Sequence, residues 1–318
     1  MSPDPRAQII LAAAYRPKAV RMWQMDVAQA RHAFFKLCAA YGAPAEVLSS
    51  MTDKVLARPP ALGGPLRLRV YRPLGAAPGE VLPAVLWIHG GGWTLGTLDD
   101  YDVLCRTLCN HSGAAVLALD YRLAPEHPYP AAVEDAQFAL DWLAARTAEL
   151  NIDPARIAIA GDSAGGNLAA VTAIATRDAG WPRLCAQVLA YPATDQLSQR
   201  PSHRQFADGF LLDEATIRWF QNHYLPDPEL KADWQASPLW SPRLDGLPPA
   251  LVLIAACDVL ADDGRAYADA LRAAGTEAWL DVLPGMIHGF LNLGRLLPDA
   301  GSSLARIGAW LREVFSRA

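Results

Sequence analysis

Five short, nearly continuous runs of apolar residues, each of strand length, constrain the fold of this 318-residue chain more than any other feature. They span residues 84–88, 114–119, 157–160, 186–189 and 250–254. Runs without polar alternation indicate strands buried on both faces. Segments with helical spacing separate the runs, notably 131–148 and 167–179, and this alternation predicts βαβ crossovers. We therefore expect a mostly parallel sheet flanked by helices, in the α/β class.

Two regions do not follow this alternation, and we interpret them as a helical cap. Residues 1–50 carry apolar residues at three- and four-residue intervals, most clearly over 19–41, which predicts amphipathic helices. Residues 196–240 carry apolar and aromatic side chains in a helical pattern with no strand beside them. The sheet-bearing core is then predicted to consist of two parts, residues 51–195 and 241–318.

The first strand of the core has a different pattern from the others. Apolar and basic residues alternate over 66–71, after two prolines and two glycines between residues 59 and 64. This pattern predicts a half-exposed antiparallel strand in an edge hairpin. Further along, the turn residues Asn151 to Pro154 predict a break before a strand that begins at Ile157.

Charge and hydropathy exclude several classes of function. The chain has 28 Lys and Arg against 33 Asp and Glu, a net charge of -5, and no basic run suited to a phosphate backbone. Nucleic acid is therefore not an expected partner. The apolar runs fall well short of the roughly 18 residues of a membrane span, so no span is expected. Without a convincing secretory signal, the expected location is the cytoplasm.

The cysteines predict neither a disulfide framework nor a metal site. They form an odd set without CxxC spacing, which is typical of reduced, buried thiols. The five are Cys38, Cys105, Cys109, Cys185 and Cys257. No cofactor or metal is predicted.

A glycine-rich turn, Gly161-Asp-Ser-Ala-Gly-Gly166, is the strongest signal for chemistry. It follows an apolar strand and precedes a helical segment, and a sharp strand-to-helix turn of this kind needs small flanking residues. The hydroxyl of Ser163 would then project from the carboxyl edge of the sheet as a nucleophile. The alternative is a glycine-rich turn with an incidental serine.

Three consecutive glycines follow the strand at 84–88, in His89-Gly-Gly-Gly-Trp93. Glycines allow main-chain N–H groups to converge on one point, as a tetrahedral oxyanion requires. Gly91 and Gly92 are the first candidates as donors, then Gly90, together with Ala164 after the nucleophile. A flexible loop or a phosphate cradle is the alternative, but the P-loop and dinucleotide-binding spacings are missing.

A serine nucleophile needs a base, and the base needs a group that orients it. Of seven histidines, only His288 follows a late strand, and Asp258 directly follows the apolar run at 250–257. The order serine, acid, histidine is that of α/β-hydrolases. Asp262 and Asp263 are rivals for the acid, but they lie deeper in the following helix.

Three motifs together resemble the bacterial hormone-sensitive lipase family of esterases. They are Gly161-Asp-Ser-Ala-Gly-Gly-Asn167, His89-Gly-Gly-Gly-Trp93 and the segment from Asp120 to Ala131. The resemblance covers the chain from about Leu66 to the carboxyl end. It implies the α/β-hydrolase fold, a cap made from residues 1–50 and 196–240, and a preference for short to medium acyl esters. The family's acid motif usually reads Asp-Pro-Leu, and here Val259 replaces the proline.

Several other residues receive structural or tentative roles. Asp120 and Arg122 are expected to form a buried pair that braces the glycine loop, and Asp162 is expected to be structural. Most aromatic and Met residues near the cap are expected to form its core, although some are candidates for an acyl pocket. The candidates are Met22, Trp23, Trp93, Phe210 and Leu211.

The sequence thus predicts a serine carboxylester hydrolase that acts on a small-molecule ester through a Ser-His-Asp triad and an acyl-enzyme. Two alternatives stay open: a non-catalytic ligand-binding protein on the same fold, against which His288 argues, and an amidase or peptidase with the same triad. Family members often associate through a core edge strand and the last helix, so the resemblance also implies a homodimer as a candidate assembly.

Overall fold

A computed structural model describes residues 2–318 and contains one eight-stranded sheet. The strands are β1 (Ser50–Leu56), β2 (Leu66–Arg72), β3 (Leu82–Ile88), β4 (Ala115–Asp120), β5 (Ile152–Asp162), β6 (Ala186–Ala190), β7 (Ala250–Cys257) and β8 (Ala278–Ile287). Their order across the sheet is β1-β2-β4-β3-β5-β6-β7-β8. Only β1 and β2 run antiparallel to their neighbours, so the prediction of a mostly parallel sheet is confirmed.

The amino-terminal hairpin differs in one respect from the prediction. The exposed edge strand is β1, whereas β2 lies inside the sheet and most of its residues are buried. Arg69 of β2 is buried because its guanidinium pairs with Asp53 at 2.6 Å and Asp99 at 2.7 Å. The alternation of apolar and basic residues in β2 therefore reflects paired arginines as well as exposed ones. Strand β5 also begins earlier than predicted, at Ile152.

Ten α-helices of residues 2–318 surround the sheet. They are α1 (Pro5–Ala14), α2 (Val27–Tyr41), α3 (Asp102–Ser112), α4 (Ala131–Ala145), α5 (Thr147–Leu150), α6 (Ala164–Ala179), α7 (Pro201–Gln205), α8 (Glu214–Tyr224), α9 (Ala261–Ala273) and α10 (Pro298–Arg317). Helices α3 and α10 bury apolar residues against one face of the sheet, and α4, α6 and α9 do so against the other. No helix in residues 2–318 is both long enough and apolar enough to cross a membrane.

Two helices that precede the sheet begin at aspartate caps. The Asp4 carboxylate accepts from the N–H of Arg6, and that of Asp26 accepts from the N–H of Gln29. Such caps each stabilise a helix by about 1 kcal/mol. Helix α1 begins well before the region with the clearest periodicity, and only a single 3₁₀ turn, Met22–Gln24, lies between it and α2.

The amino-terminal segment, residues 2–50, and the segment 196–240, called the insertion below, contact each other. The backbone N–H of Leu211 donates to the hydroxyl of Tyr15 at 3.0 Å. The amino-terminal segment also contacts the core, because the backbone N–H of Asp4 donates to the carbonyl of Gly285 in β8 at 2.9 Å. The insertion carries α7, α8 and two 3₁₀ helices, Pro228–Ala232 and Pro238–Trp240. Residues from both segments line the same cavity, which is described below.

Candidate active site

The turn between β5 and α6 carries Ser163 in a strained conformation. Its φ and ψ are 55° and -118°, which a non-glycine residue adopts only where its surroundings impose it. A side chain at Gly161 would collide with the carbonyl group of Gly165, and one at Gly165 with the carbonyl group of Ile88. Close packing of β3, β5 and α6 therefore explains why small residues flank the serine.

Ser163, His288 and Asp258 lie in hydrogen-bonding sequence at the carboxyl edge of the sheet. The hydroxyl of Ser163 is 2.8 Å from Nε2 of His288, and Nδ1 of His288 is 2.7 Å from Oδ2 of Asp258. Because a carboxylate can only accept, Nδ1 carries the proton, and Nε2 is free to accept from the serine. Asp258 is fully buried, and its other oxygen accepts from the N–H of Leu260 at 2.9 Å.

The rival acids have other partners. Asp262 accepts from the N–H of Ser202 at 2.9 Å, and Asp263 binds Nε2 of His203 at 3.0 Å. His89 lies beneath the glycine loop, where its ring stacks on Tyr121 at 4.3 Å and burial lowers its pKa to about 4. Neither His203 nor His89 contacts Ser163 in the described residues, so the geometry singles out His288 and Asp258.

The glycine loop supplies free N–H groups, but not at all the predicted positions. Gly90 donates its N–H to Oδ1 of Asp162 at 2.9 Å, so the prediction of Gly90 as an oxyanion donor is wrong. The N–H groups of Gly91, Gly92 and Ala164 have no acceptor within residues 2–318, and all three residues line the cavity that contains Ser163. These three residues remain candidates for the oxyanion hole.

Asp162 has a structural role that the sequence indicated only in outline. Its carboxylate accepts from Gly90 at one oxygen and from the hydroxyl of Tyr101 at the other, at 3.2 Å. Burial raises its pKa to about 7. A side chain on Gly90 would contact this carboxylate, so the glycine loop and the nucleophile turn are packed directly together.

The expected pair of Asp120 and Arg122 does not form. Arg122 instead binds the buried carboxylate of Asp135 at 2.7 Å, and Asp120 lies 3.6 Å from Arg67 across β2 and β4. Arg58 also binds this carboxylate, at 2.5 Å and through the same oxygen, Oδ1. Two guanidinium groups thus neutralise one buried acid on α4, away from Ser163, and sequence spacing gave no sign of this long-range pairing.

A cavity of about 380 Å³ opens over Ser163 and His288. Three of the predicted pocket residues, Met22, Trp93 and Leu211, line it. Trp23 and Phe210 do not line it: 42% of the surface of Trp23 is exposed to solvent, and the ring of Phe210 packs against Phe206, with the centroids 4.9 Å apart. Apolar lining residues that the sequence did not single out for the pocket include Leu37, Leu95, Ile217 and Leu293.

Residues 85–292 match a protein family described as alpha/beta hydrolase fold. The chain belongs to the bacterial hormone-sensitive lipase family of carboxylesterases. This carboxylesterase is 42% identical to the carboxylic ester hydrolase LipN of Mycobacterium tuberculosis over 92% of its own length and 77% of LipN. It is 37% identical to an ethyl acetate hydrolase of Pseudomonas putida, over 98% and 99% of the two chains.

A solved structure supports the same assignment. An ester hydrolase from the metagenome of Lake Arreo superimposes with a TM-score of 0.94 at 37% identity, over 99% of both chains. The prediction of an α/β-hydrolase fold is therefore confirmed, and so is that of an ester-hydrolysing enzyme. The comparisons favour this function over a non-catalytic binding protein. In residues 2–318, no group of three or more His, Cys, Asp or Glu side chains is arranged to hold a metal ion.

Proposed function

We propose that this carboxylesterase hydrolyses esters through Ser163, His288 and Asp258. The proton of the serine hydroxyl passes to Nε2 of His288 as the oxygen attacks the ester carbonyl, and the same proton then goes to the departing alcohol. Water attacks the acyl-enzyme by the same route in reverse. The observation that carries the proposal is the continuous chain of hydrogen bonds of 2.8 and 2.7 Å.

The oxyanion of each tetrahedral intermediate is proposed to bind the N–H groups of Gly91, Gly92 and Ala164. Their lack of protein acceptors supports this role, because a buried N–H without a partner is costly unless a ligand satisfies it. The N–H of Ala164 also lies at the amino end of α6, where the helix dipole favours negative charge.

The proposed substrates are small-molecule esters with short to medium acyl chains. A cavity of about 380 Å³ with largely apolar walls suits a small organic ester. One similar protein is named for ethyl acetate, a short ester. An acyl series of nitrophenyl esters should give its highest kcat/KM between about two and eight carbons.

Ser163→Ala and Asp258→Asn test the proposed roles. The first should abolish turnover, and the second should lower kcat by about 10⁴-fold, as loss of the orienting acid does in other serine hydrolases. Both are assayed on nitrophenyl butyrate. Ser302→Ala, which removes an exposed hydroxyl on α10, is the control and should keep parental rates.

A fluorophosphonate followed by peptide mapping gives an independent measurement. The label should appear on Ser163 in the parent and be lost in Ser163→Ala. Parental turnover by Ser163→Ala, or a label on another residue, would refute the assignment. A matched ester and amide pair measures the preference for the leaving group.

The organisation and setting of the enzyme are further parts of the proposal. Residues 1–50 and 196–240 are proposed to act as one cap, supported by the contact between Tyr15 and Leu211. The cytoplasm remains the proposed location, and the five unpaired thiols of residues 2–318 suit its reducing conditions. A homodimer remains a prediction, to be measured by sedimentation.

A further inference from the structure

The turn that follows β7 has to hold the Asp258 carboxylate in one orientation. Within residues 2–318, the carboxylate has one backbone donor, the N–H of Leu260 at 2.9 Å, and that donor belongs to the same turn. The direction of the carboxylate therefore depends on the backbone of residues 258–260. A proline after the aspartate would fix φ at that point, but this chain has Val259, whose backbone is less restricted.

Ser202, in helix α7 of the insertion, forms three hydrogen bonds to this turn and to the first turn of helix α9, which follows it. Its hydroxyl donates to the carbonyl of Val259 at 2.8 Å and accepts from the N–H of Asp262 at 3.2 Å. Its own N–H donates to the carboxylate of Asp262 at 2.9 Å. Ser202 is 2% exposed, so water competes little for these bonds.

Asp263, in the first turn of helix α9 directly after the acid turn, is a second point of attachment. Its carboxylate is fully buried and binds the hydroxyl of Ser198 and Nε2 of His203, the latter at 3.0 Å. Arg200 lies 3.5 Å from it. The segment 198–203 is thus joined to the turn on both sides of Ser202, which keeps its hydroxyl over the carbonyl of Val259.

We propose that Ser202 is a positioning residue: its hydroxyl bond to the carbonyl of Val259 supplies the rigidity that a proline would give and so orients Asp258 toward His288. The inference rests on the proposed role of Asp258 as the orienting acid. It makes the insertion part of the support of the triad, in addition to a wall of the substrate cavity.

Ser202→Ala removes the hydroxyl while nearly keeping the side-chain volume. The expected result is a fall in kcat of about 10-fold, because small displacements of a positioned group have effects of this size or larger. KM for nitrophenyl butyrate should change by less than about 2-fold, since Ser202 does not line the cavity. Ser302→Ala is the matched control, because it also removes a hydroxyl bonded to a carbonyl, but far from the turn.

Val259→Pro in the Ser202→Ala background is the decisive variant. The N–H of Val259 has no acceptor in residues 2–318, so proline removes no hydrogen bond there. The double variant should recover most of the lost kcat, because the ring fixes the backbone of the turn without the serine. It also serves as the test if Ser202→Ala folds poorly.

For every variant, kcat is normalised to the folded fraction measured by circular dichroism. Parental kcat in Ser202→Ala, or a double variant that regains thermal stability without regaining kcat, would overturn the positioning role. Asp258→Asn is measured alongside. If it kept parental kcat, the proposed triad would fail; if it lost activity while Ser202→Ala did not, only the inference about Ser202 would fail.

Discussion

The glycine loop after β3 and the acid turn after β7 lie at the same edge of the sheet but are supported differently. The glycine loop is braced from inside the core, where Asp162 accepts from Gly90 and from the hydroxyl of Tyr101. The acid turn is bonded to the insertion through Ser202 and Asp263. Each support satisfies buried polar groups, but only the second joins the active site to the proposed cap.

This difference indicates which half of the site responds to changes in the insertion. The insertion also touches the glycine loop, through the ring of Phe220 near Gly92 and the ring of Tyr224 stacked on Trp93, but these are packing contacts and not hydrogen bonds. Hydrogen bonds fix orientation, whereas apolar packing mainly fixes distance. Movement of α7 should therefore disturb Asp258 before it disturbs the proposed oxyanion donors.

Gly92→Ala should have the largest effect on the core-braced half. Its φ is +59°, and a methyl group there would collide with the ring of Phe220, so the loop or the ring must shift and the proposed oxyanion donor is displaced. We expect kcat on nitrophenyl butyrate to fall by about 10²-fold or more, as on loss of one oxyanion donor. Gly113→Ala is the control, because its φ is +66° but its surroundings are open. Equal losses of kcat in both variants would mean that the effect comes from backbone strain alone and not from the position of Gly92.

Asp162→Asn tests whether the brace depends on charge. Burial raises the pKa of Asp162 to about 7, so the folded protein binds a proton there that the unfolded chain releases near pH 4. Its contribution to stability is therefore complete below about pH 4 and is lost as pH rises toward 7. The uncharged variant lacks this loss and can still accept from Gly90. Relative to the parent, its free energy of unfolding should rise by more than about 1 kcal/mol between pH 4 and 8. Urea unfolding at both pH values measures this, and the same difference in free energy of unfolding between variant and parent at pH 4 and pH 8 would contradict it.

His203→Gln should have the smallest effect and concerns the insertion-bound half. Burial lowers the pKa of His203, but the bond to Asp263 and the charges of Asp258 and Asp195 outweigh this effect, so that the pKa is raised overall. Arg200 also lies 3.5 Å from the carboxylate of Asp263. The charged pair thus stabilises the fold fully below about pH 6.5 and less as pH rises through the raised pKa. The free energy of unfolding of the parent should exceed that of the variant by about 1 kcal/mol near pH 5.5, and this difference should be smaller at pH 9. Melting curves at both pH values measure this, and a constant gap would exclude a role for the charge.

The sequence predicted the parallel sheet and pointed to the residues of the proposed triad, because both depend on local patterns. Continuous apolar runs identified buried strands, and the glycines around Ser163 identified a tight turn. Asp258 and His288 were found by their positions after late strands, since the carboxyl ends of parallel strands meet at one edge. Gly90 was assigned wrongly because its motif does not reveal which N–H groups are already bound. Trp23 and Phe210 were placed in the pocket by residue type, which does not determine the direction of a side chain.

The sequence by itself therefore determined the order and type of the elements and which reactive groups stand at the sheet edge. These properties depend on the periodicity of burial and on backbone sterics within a few residues. Only the tertiary structure decided which partner each buried polar group has. Each observed pair is one of many that the donors and acceptors of the chain could form. The examples are Asp162 with Gly90, Arg122 with Asp135 and Ser202 with Val259. That choice depends on distances between segments remote in the chain, which become fixed only when the core and the proposed cap pack together.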